Sequence, residues 1–151
     1  VLALDVGHGQ LHPRLAADPR VTALEGVNIR ALPAGLLPPL DWITCDVSFI
    51  GLEKALPPAL AHARPEARLV ALVKPQFEAG PARVGKGGIV RDPAVHADVR
   101  ARVAAFLEGA GWAATHQAES PVTGGDGNRE FLIAARRRGA GLAPAGDSAP
   151  R

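Results

Sequence analysis

The stretch Leu69-Val70-Ala71-Leu72-Val73-Lys74-Pro75 decides how this chain is read. Its apolar residues run on without alternation, the pattern of a strand buried on both faces in a parallel sheet. Lys74 then ends the run, and Pro75 follows it. Working outward, similar runs occur at Val1–Val6, Val21–Leu24, Trp42–Cys45, Ala113–Ala118 and Phe131–Ala135. Helical patterns lie between them. In Pro93–Ala110, residues Val95, Val99, Val103, Phe106, Leu107 and Ala110 fall along one face. Asp92 is placed to cap its first turn, Pro93 suits the first helical position, and Gly109 or Gly111 can end it. A second helical segment, Gly51–Ala63, should kink or restart at Pro57 and Pro58. Strands alternating with helices predict a parallel α/β sheet with right-handed crossovers. Only Pro121–Arg129 separates the last two strands, too little for a crossover helix, so the last strand should be antiparallel.

Composition bounds the possibilities. A length of 151 residues with 47% hydrophobic and 21% charged residues fits one domain with a sizeable core. A net charge of +2 excludes an acidic tail protein and does not itself announce a nucleic-acid binder. Arg136, Arg137 and Arg138 form one run, read either as a charged strand end or as a contact to phosphates. Residues 136–151, rich in Gly, Ala, Pro and Arg, read as a disordered tail. The one cysteine, Cys45, excludes an internal disulfide and a multi-cysteine zinc site, and reads as a small apolar residue in a cytoplasmic, reducing setting. His8, His12, His62, His96 and His116 are scattered without metal-ligand spacing, so no metal is expected and they read as surface or helix-face residues. Trp42 and Trp112 open strands and read as core. No apolar stretch approaches the ~20 residues that cross a membrane. The chain opens without Met inside an apolar run, and reads as part of a longer protein.

In an open α/β sheet, ligands bind beyond the carboxyl ends of the strands. Asp5, Asp46 and Lys74 end three strands, and Glu130 begins the antiparallel one, which puts it at the same edge. Adjacent strands lie ~4.8 Å apart, so Asp46, Lys74 and Glu130 can form one cluster if their strands are neighbours. The plain alternative is that strand ends are polar because the chain is leaving the core.

Several stretches together resemble the TlyA family of ribosomal RNA 2′-O-methyltransferases, which have an FtsJ-like methyltransferase domain. They are Asp46-Val47-Ser48-Phe49-Ile50, Leu72-Val73-Lys74-Pro75-Gln76-Phe77-Glu78, Val84 to Pro93, and Gly127-Asn128-Arg129-Glu130-Phe131. Asp5-Val6-Gly7-His8-Gly9-Gln10-Leu11 and Asp18-Pro19-Arg20-Val21 fit the same family. The resemblance covers residues 1–135 and implies a Rossmann-like sheet that uses S-adenosylmethionine. It implies catalytic roles for Asp46, Lys74 and Glu130, three members of a Lys–Asp–Lys–Glu tetrad. The first Lys, the first strand and the glycine-rich loop of the fold have no counterpart here. Cofactor contacts are implied for Asp5, Asn28 and Asp46. Lys86 and Arg91 are available to RNA phosphates, or belong to an ordinary solvated loop. The implied substrate is a cytidine 2′-hydroxyl in ribosomal RNA, met by a monomer on the RNA or a ribosomal subunit. A ribose hydroxyl is a poor nucleophile and must lose its proton as it attacks, which an amine can assist only when neutral.

Other readings compete with this one. The chain could be a non-catalytic RNA- or ribosome-binding remnant, or a membrane-lytic protein of the kind the family's hemolysin name implies. Gly7-His8-Gly9-Gln10, with Glu25 downstream, is similar to a dinucleotide loop but lacks the third glycine. Gly80–Lys86 has phosphate-loop spacing, with Gly87 where Ser or Thr should hold magnesium.

Overall fold

The computed structural model describes residues 1–139. Six strands form in chain order: β1 (Leu2–Leu4), β2 (Thr22–Leu24), β3 (Leu40–Cys45), β4 (Ala63–Val73), β5 (Trp112–Glu119) and β6 (Phe131–Arg137). The helices are α1 (Pro13–Ala16), α2 (Leu52–Ala55), α3 (Pro57–Ala61), α4 (Pro75–Glu78) and α5 (Pro93–Gly109). The expected restart at Pro57 occurs. Pro57 opens α3 directly after Leu56, because a proline ring is tolerated in the first turn and not inside a helix.

The strands make two sheets, β1-β2 and β3-β4-β6-β5. Pairing is parallel in β1-β2 and β3-β4, and antiparallel where β6 joins β4 and β5. The last strand is therefore antiparallel as expected, and β3, β4 and β6 are neighbours. A cleft of about 1450 Å³ lies between the sheets, walled by Leu2 and Leu4 on one side and by Leu40–Cys45 on the other.

The core sits under the four-stranded sheet. Val99, Val103 and Leu107 of α5 are fully buried against Leu69, Val73 and Ile133 of the sheet, with Trp112 sealing one end. Asp92 caps α5 by accepting the Ala94 N–H at 2.8 Å. Gly111, at φ 84°, turns the chain out of α5 where a side chain would strain the backbone.

Two expectations need correction. Trp42 is 58% exposed rather than core. It lies on β3, which pairs on one side only, so its indole faces the cleft and stacks under the Arg68 guanidinium at 5.3 Å. Of the two readings given for the histidines, His96 takes the helix face: it is buried on α5, where its ring nitrogen Nε2 meets the Val90 carbonyl at 2.9 Å and its ring packs edge-on to Phe131. Arg136 and Arg137 belong to β6 and not to a tail. Arg136 pairs with Glu66 and stands opposite Arg68 and Ala113 in the ladder. Arg138 pairs with Glu108 just beyond it. The remainder of the expected tail, from 140 onward, lies outside the described residues.

Candidate active site

The expected rim of ionisable residues exists, and strand register builds it. Cys45 pairs with Ala71, so Asp46 leaves β3 beside the end of β4. Val73 pairs with Phe131, so Lys74 and Glu130 flank the same ladder step. Lys74 is anchored from two sides. Its Nζ lies 2.7 Å from Asp46 Oδ1 and donates to Ser48 Oγ at 3.2 Å. The Lys74 side chain is 14% exposed while that of Asp46 is 69% exposed, so the pair has a sheltered and an open end. Glu130 is 6% exposed and accepts from Gln76 Nε2 at 2.9 Å rather than from Lys74. The structure thus brings Asp46 and Lys74 into direct contact at the strand ends, with Glu130 at the next strand's start and fixed separately by Gln76.

Asp5, Asn28 and Asp46 line the cleft between the sheets. Asp5 follows β1, accepts the Gly7 N–H at 2.7 Å through Oδ1, and leaves Oδ2 without a protein partner among the described residues. Asn28 accepts the Arg30 N–H at 3.0 Å, with its Nδ2 likewise unengaged. Lys86 and Arg91 stand exposed on the loop between α4 and α5.

Phe49, Gln76 and Gly124 are missing from the residues singled out in the sequence. Phe49 is 90% exposed, has φ of 64°, and lies 4.9 Å from the Phe77 ring centroid. Both rings line the cleft and also a smaller cavity of about 470 Å³ beside it. A non-glycine residue in this conformation costs on the order of 1 kcal/mol or more and concentrates at functional sites. A Cβ on Gly124 would come within 2.6 Å of Glu130 Oε1, so a larger residue there would push that carboxylate aside. Its only sequence signal was membership of a turn.

Two groups near the rim are shifted by burial. Desolvation, then the nearby Asp46 and Glu78, push the Cys45 thiol up to about 11, so it stays protonated and plays no nucleophilic part. Glu78 is pushed up, chiefly by burial, while its bond from the Leu52 N–H at 2.8 Å opposes the shift.

A parallel α/β sheet closed by an antiparallel strand, with a lysine–carboxylate rim over a ligand-sized cleft, defines a Rossmann-like methyltransferase domain. More particularly, the chain belongs to the FtsJ-like methyltransferase family, whose model matches residues 1–137. YqxC of Bacillus subtilis, assigned by its name to the rRNA methyltransferases, is 48% identical over 133 residues, covering 87% of this chain and 47% of YqxC. The 16S/23S rRNA (cytidine-2'-O)-methyltransferase TlyA of Mycobacterium tuberculosis is 42% identical over 134 residues, covering 88% of this chain and 50% of that one. A crystal structure of a protein named as a hemolysin, from Lactococcus lactis, superposes with a TM-score of 0.86 at 39% identity, covering 92% of this chain and 67% of that one. The chain thus spans about half the length of these two curated relatives.

Proposed function

We propose that residues 1–135 belong to the methyl-transferring domain of an enzyme that modifies a cytidine 2′-hydroxyl in ribosomal RNA, and supply part of that domain. The observation that carries this reading is the Lys74–Asp46 pair at 2.7 Å, half-sheltered at the strand ends and opening on the cleft that Asp5 and Asn28 line. The name of the mycobacterial relative, 42% identical, supports the choice of substrate.

The residues present fit the nucleoside half of S-adenosylmethionine. The free Oδ2 of Asp5 suits vicinal ribose hydroxyls, and the free Nδ2 of Asn28 suits a ring acceptor of adenine. Bound there, the cofactor supplies an electrophilic methyl group on a sulfonium. Lys74, held by Asp46 and Ser48, orients the ribose hydroxyl, whose proton passes to this lysine–carboxylate pair as its oxygen takes the methyl group. Glu130, fixed by Gln76, bounds the other side of the acceptor. Phe49 presents an open ring on which an unstacked base can lie. Lys86 and Arg91 meet RNA phosphates. Positioning of the two reactants supplies most of the rate.

The enzyme works as a monomer in the cytoplasm, on ribosomal RNA or ribosomal subunits. Among the described residues no helix is long and apolar enough to cross a membrane, so the hemolysin name of some relatives draws no support from a spanning helix.

The test is equilibrium binding of S-adenosylmethionine, followed by methyl transfer to ribosomal RNA. Asp5→Ala should weaken cofactor binding at least tenfold. Lys74→Met should leave binding near wild type while cutting transfer by about 10²–10⁴-fold. Full transfer by Lys74→Met would overturn the assignment.

A further inference from the structure

The hairpin that returns the chain to Glu130 carries a buried amide that the proposed chemistry does not use. Asn128 is 1% exposed, and its side chain is spent on the loop between α4 and α5. Its Oδ1 accepts the Val90 N–H at 3.0 Å, and its Nδ2 donates to the Gly88 carbonyl at 2.9 Å. The Asn128 carbonyl accepts the Gly124 N–H at 2.8 Å, which closes the turn beneath Glu130. Val90 is 2% exposed and is held from its other end as well, since its carbonyl meets His96 Nε2 at 2.9 Å.

The loop also closes on itself, with the Gly85 N–H donating to the Ile89 carbonyl at 3.0 Å. A Cβ on Gly85 would come within 2.9 Å of that carbonyl. On this fastened loop stand Lys86 and Arg91, both exposed and neither in an ion pair among the described residues. Other arginines on the same side of the fold are occupied, Arg83 by Asp98 and Arg129 by Glu119. One short turn thus grips the cationic loop at Asn128 and carries the rim carboxylate two residues later at Glu130.

We propose that Asn128 is a positioning residue for RNA. It sets the Gly85–Arg91 loop at a fixed offset from the Asp46, Lys74 and Glu130 rim, so that a phosphate backbone held by Lys86 and Arg91 delivers its ribose to Lys74. This rests on the RNA methyltransferase reading above. A loop already ordered before binding loses little freedom when RNA arrives, and a released loop must be ordered at the expense of affinity. Asn128→Asp is the informative change. It keeps the size of the side chain and the acceptor for Val90, but turns an oxygen toward the Gly88 carbonyl where a donor stood.

The experiment measures binding of the full chain to a fluorescently labelled RNA hairpin with a cytidine-containing loop, between about 50 and 200 mM salt. Asn128→Asp should weaken RNA binding about tenfold and flatten its salt dependence, as removal of phosphate contacts does. Affinity for S-adenosylmethionine should be unchanged. In a Lys86→Ala, Arg91→Ala background the same substitution should cost nothing further, which a general loss of stability would not reproduce. Gly85→Ala distorts the loop without touching Asn128. It should give the same pattern, and it carries the test if Asn128→Asp fails to fold. Unaltered binding, or an equal loss in both backgrounds, would overturn the proposal. Absence of RNA binding by the wild-type chain would instead overturn the RNA reading of the whole site.

Discussion

At the scale of single residues, the rim is a problem in placing charges where the sheet ends. Lys74 is held by one carboxylate and one hydroxyl, and Glu130 by one amide, so each keeps a fixed position before any substrate arrives. Such preorganisation makes proton transfer effective. Cys45 shows the opposite treatment of a reactive group. It adjoins Asp46 in the chain, yet burial keeps its thiol neutral with a pKa near 11. Alkylation by iodoacetamide should therefore be slow at neutral pH, with its rate rising toward a midpoint near 11 rather than the ordinary 9.0. A midpoint at 9 or below would show that Cys45 is far more open than its surroundings imply. The charged members of this rim were legible in the sequence because strand ends announce themselves by a polar residue after an apolar run. Gln76 and Gly124 were not, since a glutamine after proline and a glycine in a glycine-rich turn each have an ordinary explanation.

At the scale of elements, α5 is the most plainly encoded piece of the molecule. Its cap at Asp92, its first-turn Pro93 and its apolar stripe all appear in the sequence, and the structure uses the cap, the proline and the stripe from Val95 to Leu107, while Ala110 falls exposed at the helix end. Leu107 is completely buried at the sheet-facing side of this helix. Leu107→Ala should destabilise the fold by about 2–5 kcal/mol, read from denaturant unfolding at constant slope. A loss below about 1 kcal/mol would mean that the site collapses around the smaller side chain. Strand lengths were less legible. β4 begins at Ala63, well before its continuous apolar run, because the exposed Arg64, Pro65 and Glu66 carry it through a register irregularity against β3, between the Leu40–Ala63 and Trp42–Arg68 pairs. β6 likewise runs to Arg137, since arginine side chains at its end find Glu66 and, just beyond, Glu108. Those partners are distant in sequence, so local pattern could not reveal them.

At the scale of the whole molecule, the division into two sheets governs how firmly each part is held. The residues of β1 and β2 are half-buried or exposed, whereas β4 and β6 alternate through fully buried positions. Local opening follows buried contact, so amides of Leu2–Leu4 and Thr22–Leu24 should exchange with solvent far faster than those of Leu69–Val73 and Phe131–Ala135. Equal protection across the two sheets, measured by hydrogen exchange, would show that they open as one unit. Saturating S-adenosylmethionine should narrow the gap, because Asp5 and Asn28 sit on the weaker side of the cleft. A hundredfold excess over its dissociation constant would stabilise the fold by about 2.7 kcal/mol.

By itself the sequence determined the alternation of strand and helix, the antiparallel return of the last strand, and the charged residues at the strand ends. Each of these follows from a local cause: the period of apolar residues, the shortness of a connection, or the point where a strand leaves the core. Tertiary structure alone decided that Trp42 is open while His96 is buried. It also decided that Glu130 leans on Gln76 rather than Lys74, and that Asn128 fastens a loop some forty residues away. Those outcomes depend on which surfaces meet. Hydrogen bonds between groups far apart in the chain leave no periodic trace in the order of its residues.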